Sequence, residues 1–183
     1  MSFLTRIGRW FPRNNVIDSV QTVIRFEASP DEVWRAMLFY EEVPQRPMPL
    51  LRWFLPMPIR TSGEKTRPGS LIRCTYDGGS LMKQITAAEP GRFVRFEVLV
   101  QRLGIEECIT MSDGSYELAA EGAGTMLVLT TRYVGHVRPR WLARVFERYL
   151  THRMHRHILD GMRAMIKSPL PALASARASV GDA

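Results

Sequence analysis

Residues 19–38 read SVQTVIRFEASPDEVWRAML, a strand that runs directly into a helix. Val20, Thr22, Ile24 and Phe26 fall on one side of a two-residue alternation, and the segment is rich in β-branched residues, as a half-buried strand requires. Ser29 is a natural N-cap, Pro30 suits the first helical position, and Asp31 and Glu32 complement the positive end of a helix. Val33, Trp34, Met37 and Leu38 then recur at spacings of three and four, which predicts a short amphipathic helix.

Working outward, residues 44–69 contain six prolines, which forbid a long helix or a central strand. They also carry Leu50, Leu51, Trp53, Phe54, Leu55 and Met57. So apolar a loop must dock on something, either as a cover for the core or as a lid over a ligand mouth, with Trp53, Phe54 and Met57 as its candidate contacts. From 69 to 134 the pattern is β: 70–76, 80–88, 93–101, 105–111, 115–121 and 125–134 are predicted strands. Turn signals separate them at Asp77-Gly78-Gly79, Glu89-Pro90-Gly91, Gly104, Asp113-Gly114 and Gly122-Ala123-Gly124. Links this short permit only antiparallel neighbours, so with the first strand a seven-stranded antiparallel meander is expected. Pro139 opens a long helix that Ser168-Pro169 stops. The expected organisation is an N-terminal arm (1–18), one ligand-binding domain (19–167) and a flexible tail (168–183).

At 183 residues, 45% apolar and 23% charged, the chain has the make-up of one globular domain. Cys74 and Cys108 form no CxxC pair and suit neither a disulfide framework nor a four-ligand zinc site, which points to a reducing cytoplasm. No run approaches the ~18 apolar residues of a membrane span. The net charge of +7 is spread along the sequence, without a nucleic-acid motif, so no nucleic-acid partner is expected. In the arm, Phe3, Leu4, Ile7, Trp10 and Phe11 alternate with Arg6, Arg9 and Arg13, a pattern suited to weak contact with a membrane surface.

The stretch THRMHRHIL (151–159) holds three of the four histidines. Trp141, Val145, Tyr149, His152, His155, Leu159, Met162 and Ile166 follow one another by three or four, so they form one helical stripe expected to face the sheet; His157 lies opposite, toward water. Two inward imidazoles need partners, because burying one unpaired costs about 1–3 kcal/mol. Four readings stay open: a metal site, for which no third ligand is marked; acid/base catalysis by His152 or His155; two core histidines satisfied by tyrosines or carboxylates; and a polar patch on the wall of an apolar cavity. No cofactor fingerprint, phosphate loop or nucleophile is present.

The segments VIRFEASPDEVWRAM (23–37), ITAAEPGRFVRFEV (85–98) and GSYELAAEGAGTMLVLTTRY (114–133) resemble the START-like, or SRPBCC, superfamily, within it the polyketide cyclase/dehydrase and lipid-transport group. The likeness spans residues 19–167. It implies an α+β helix-grip fold: a curved seven-stranded antiparallel sheet around a long C-terminal helix, short helices after the first strand, and an apolar cavity between sheet and helix. The sheet residues expected to meet the helix stripe are Phe96, Val98, Tyr116, Leu118, Leu129 and Tyr133, each pair on one strand face. Arg148, near the stripe, is a candidate anchor for an acidic group.

The function expected is therefore a carrier or sensor of a mostly apolar small molecule such as a lipid, isoprenoid or polyketide-like compound. The ligand would lie against Tyr149, His152, His155, Leu159, Met162 and the sheet residues above. A cyclase or dehydratase using a pocket histidine is the alternative, and an interaction module without ligand a third.

Overall fold

The computed structural model describes residues 16–39 and 56–167. Strand β1 (Ile17–Phe26) leads into helix α1 (Pro30–Phe39). Then follow β2 (Pro58–Ser62), β3 (Leu71–Tyr76), β4 (Gly79–Glu89), β5 (Phe93–Arg102), β6 (Ile109–Glu121) and β7 (Gly124–Gly135), and helix α2 (Arg140–Lys167) ends the described chain. The seven strands form one antiparallel sheet in the order β1-β7-β6-β5-β4-β3-β2, with α2 packed along β1 and β7 and against α1. This is the helix-grip architecture expected. Ile17 and Asp18, assigned to the arm by the sequence pattern, already belong to β1.

Local chemistry explains the first turn. Ser29 and Glu32 cap α1 reciprocally: the Ser29 N–H donates to Glu32 Oε2 (3.1 Å) and the Glu32 N–H to Ser29 Oγ (3.4 Å). Val33, Trp34, Ala36 and Met37 are buried in the core with Phe26, Leu127, Leu159, Met162 and Met165.

The number of strands agrees with expectation because two differences cancel. Within the proline-rich segment, β2 pairs with β3 at the sheet's edge, where Pro58 at the first position removes no central hydrogen bond. The stretches 105–111 and 115–121 are not two strands; residues from Ile109 onward run on through Asp113-Gly114 as β6. A bulge between Met111 and Asp113 absorbs the kink there. Gly114 serves close packing, not a turn: a Cβ on it would lie 2.6 Å from Phe96 Cζ.

Helix α2 is rotated from the expected stripe. Its buried residues are Leu150, His155, Leu159, Gly161, Met162 and Met165, with Arg140 and Glu147 continuing that face toward the helix start, displaced by roughly a quarter turn at ~100° per residue. Trp141 (74%), Val145 and Tyr149 (48%) are exposed, whereas His155, Leu159 and Met162 are buried. The cause is electrostatic. Arg140 donates to Asp18 Oδ2 (2.7 Å) and to Glu147 Oε1 (2.7 Å), and Arg144 pairs with Asp18 Oδ1 (2.8 Å), which pins the first turns of α2 to the start of β1. The Asp18, Arg140 and Glu147 side chains are little exposed, so charged residues occupy the face the periodicity assigned to apolar ones. Gly135 makes room for them, since a Cβ there would collide with the Arg140 guanidinium. Arg148 is exposed and donates to the Ser19 carbonyl (3.3 Å) on edge strand β1. It covers an edge and does not line a cavity.

Candidate functional site

Between the concave face and α2 lies a cavity of ≈ 170 Å³. Its floor is supplied by inward positions of the strands: Ile72, Cys74 and Tyr76 on β3, Ile85 on β4, Val94 and Phe96 on β5, Tyr116 on β6, Leu129, Thr131 and Tyr133 on β7. Thr151, Met154, His155 and Ile158 of α2 form the roof, and Pro56, Pro58, Thr61 and Lys65 one side. A break in the sheet provides the other. Main-chain pairing of β5 with β6 ends at Glu97 and Asp113. Beyond it the Gln101 side chain bridges the strands, donating to the Ile109 carbonyl (2.9 Å) and accepting from the Met111 N–H (2.8 Å). Leu103, Ile105, Ile109 and Met111 reach the cavity from this parted region. Tyr76, Ile105 and Ile109 are half-buried, so the hollow communicates with solvent.

The sequence-derived candidates divide. Phe96, Tyr116, Leu129, Tyr133 and His155 are on the wall. Leu118, Leu159 and Met162 are packed into the core beside it, and Val98 packs against that core. Tyr149 is exposed on the far side of α2, and His152 is half-buried and off the wall. Met57 is buried against Leu150 and Met154 of α2; Trp53 and Phe54 lie outside the described residues. His157, expected in water, is half-buried, and burial lowers its pKa.

The imidazoles are satisfied by threonines rather than by the tyrosines or carboxylates expected. Thr22 Oγ1 is 2.8 Å from Nδ1 of both His152 and His155, and Thr131 Oγ1 is 2.8 Å from His155 Nε2. Thr22 has one hydroxyl proton, so it donates to at most one ring and accepts from at least one. At least one of the two Nδ1 atoms therefore carries a proton, and both nitrogens of His155 are engaged by threonines. Burial, with the neighbouring His152 second, lowers the His155 pKa from 6.5 to about 3, so the ring is neutral near pH 7. Among the described residues no group of three His, Cys, Asp or Glu is gathered as a metal site would need.

Two polar groups on the wall stand out. Tyr133 is fully buried, and its hydroxyl has no hydrogen-bond partner among the described residues. Burial, reinforced by Glu147 and Asp18, pushes its pKa up to about 12, so it remains a phenol able to donate. Lys83 also lines the cavity, with Nζ 4.2 Å from the centre of the Phe96 ring. Lys83, Thr22 and Thr131 are not among the sequence-derived site candidates. A signal existed for Lys83, which alternates with the buried Leu81 and Ile85 on β4.

Among the described residues no helix is long and apolar enough to cross a membrane. No protein-family model and no curated protein matches the sequence. Solved structures do. An aromatase/cyclase from Streptomyces sp. R1128 aligns at 15% identity and TM-score 0.57, covering 83% of this chain and 94% of its own. Norcoclaurine synthase from Thalictrum flavum, solved with dopamine and hydroxybenzaldehyde, aligns at 12% and 0.56, over 85% and 89%. A protein from Thermus thermophilus aligns at 16% and 0.54, over 81% and 97%. Identities this low speak for architecture alone. A curled seven-stranded sheet closed on a long C-terminal helix, together with these likenesses, gives this chain the helix-grip fold.

Proposed function

We propose that the protein binds a mostly apolar small molecule between sheet and α2, as a carrier or sensor. The observation that carries this reading is a hollow walled by Ile85, Phe96, Leu129, Met154 and Ile158. Burial of apolar surface at about 25 cal/mol per Å² supplies the affinity. The volume accommodates a ring or a short chain; an engineered apolar cavity of roughly 150 Å³ admits benzene. A longer lipid, isoprenoid or polyketide-like body would extend through the half-buried rim at Tyr76, Ile105 and Ile109. That one protein of this architecture was solved with dopamine and hydroxybenzaldehyde supports a ring-sized occupant.

The observations favour a carrier over a cyclase or dehydratase. Both nitrogens of His155, and Nδ1 of His152, are already engaged by threonines, which leaves His155 no lone pair for proton abstraction. Met57, buried on Leu150 and Met154, ties the proline-rich segment to the cavity roof, in keeping with a cover over the ligand.

Native mass spectrometry and Nile red fluorescence test the reading. Uptake of the dye, or a co-purifying small molecule, is expected for the wild type and is expected to be lost in Met154→Trp, which fills the hollow while far-UV circular dichroism stays unchanged. A wild-type protein that is empty as purified and takes up no apolar probe contradicts it.

A further inference from the structure

We propose that the ligand carries a carboxylate and that Lys83 is its anchor; this rests on the carrier reading above. β4 is an interior strand, paired with β3 on one side and β5 on the other. Its Leu81, Lys83 and Ile85 alternate onto the concave face, and Leu81 and Ile85 are among the most deeply buried side chains of the protein. A lysine on an outward position extends into water; one between Leu81 and Ile85 sends its stem into the hollow. Its ammonium lies over the Phe96 ring, and among the described residues no carboxylate is within ion-pairing distance of it.

The other polar groups of the wall have internal partners or no charge. Thr131 is bonded to His155, Thr151 donates to the Glu147 carbonyl (2.8 Å), and Lys65 donates to the Leu38 carbonyl. Lys83 is thus a cation whose protein contact in the hollow is an aromatic face. A ring face compensates an ammonium only in part, whereas a carboxylate supplies full opposite charge and accepts its hydrogen bonds. One ammonium matches one negative charge, so a monocarboxylic acid with an apolar body is favoured over a dianionic phosphate, which arginine clusters bind. A neutral ligand of the same shape leaves the ammonium without an anion as it expels water, and this sets the preference for the acid.

The test is displacement of the neutral dye Nile red from the full-length protein at pH 7.5 by matched pairs: octanoic acid against 1-octanol, and 2-naphthoic acid against 2-naphthol. The acids should displace at least tenfold more strongly than the alcohols. Lys83→Met should remove that preference while keeping the affinity for the alcohols, Lys83→Arg should keep most of it, and Arg73→Met, on the convex face, should keep all of it. Equal displacement by acid and alcohol in the wild type overturns the inference and leaves the carrier reading standing. Loss of the preference in Lys65→Met but not in Lys83→Met overturns it also. Failure of Nile red to bind at all removes the carrier reading and the anchor with it. Should Lys83→Met not fold, the wild-type pairs and Lys83→Arg still decide.

Discussion

The two halves of the concave face are built from the same residue types and end differently. In one, α1 packs against α2 and against β6 and β7, and its Val33 and Trp34 are buried with Phe26, Leu127, Leu159, Met162 and Met165. In the other, α1 supplies only Met37 and Leu38 to the wall, β5 and β6 part after Glu97 and Asp113, and Ile85, Phe96, Tyr116 and Leu129 face a hollow. Apolar sequence alone therefore does not make a core. A third element must fill the concavity, and where it contributes only its end the same side chains line a hollow.

The contrast is sharpest at two neighbours on α2. Leu159 is fully buried in the packed half, whereas Ile158 borders the hollow. Leu159→Ala should cost about 2–5 kcal/mol, and Ile158→Ala no more than about 2 kcal/mol while weakening probe binding. Urea unfolding measures both, and equal losses would erase the distinction between the halves.

Next in size is a pH effect. The folded-state pKa of His155 is lowered from 6.5 to about 3, so between those values the unfolded chain binds a proton that the native state refuses. Stability from this residue is present above pH 6.5 and is lost as pH falls, by up to ~1.4 kcal/mol per pH unit. The wild type should lose stability between pH 6 and 4 more steeply than His155→Gln. Parallel curves would mean that the ring is accessible to water.

Thr22→Val should cost about 1–2 kcal/mol, because it strips the Nδ1 partner from two imidazoles at once. Urea unfolding at pH 7 reads this, and an unchanged midpoint would deny the shared hydroxyl a role. Tyr133→Phe should be smallest, within about 0.5 kcal/mol of the wild type, since the hydroxyl removed has no internal partner. Urea unfolding reads this too, and a loss of about 1 kcal/mol or more would mean that the hydroxyl has an internal partner.

Much of the fold was legible. The two-residue alternation of β1, the Ser29 cap and the turn signals after it specify a strand, a helix and an antiparallel meander. What was misread has physical causes. Pro58 disguised β2 because proline is admitted at an edge. Asp113-Gly114 imitated a turn because a glycine that accommodates an aromatic ring has the same letter as one that reverses the chain. The face of α2 was misjudged because the Asp18–Arg140–Glu147 network buries charges next to the sheet, where periodicity assumes apolar residues. Of the candidate site, Phe96, Tyr116, Leu129, Tyr133 and His155 were legible from strand and helix spacing. Thr22 and Thr131 were not, since a threonine on an inward strand position reads as an ordinary β-former. Lys83 could have been found by the alternation that identified its neighbours.

The claim that the hollow, and not the packed half, receives an apolar molecule is tested most directly with ¹³C-methyl methionine NMR. Met111 and Met154 line the hollow, while Met162 and Met165 are sealed in the packed half. Titration with 2-naphthol, whose ring current displaces nearby methyl signals, should move Met111 and Met154 saturably and leave Met162 and Met165 in place. Still signals at Met111 and Met154, or equal movement of all four, would contradict the account.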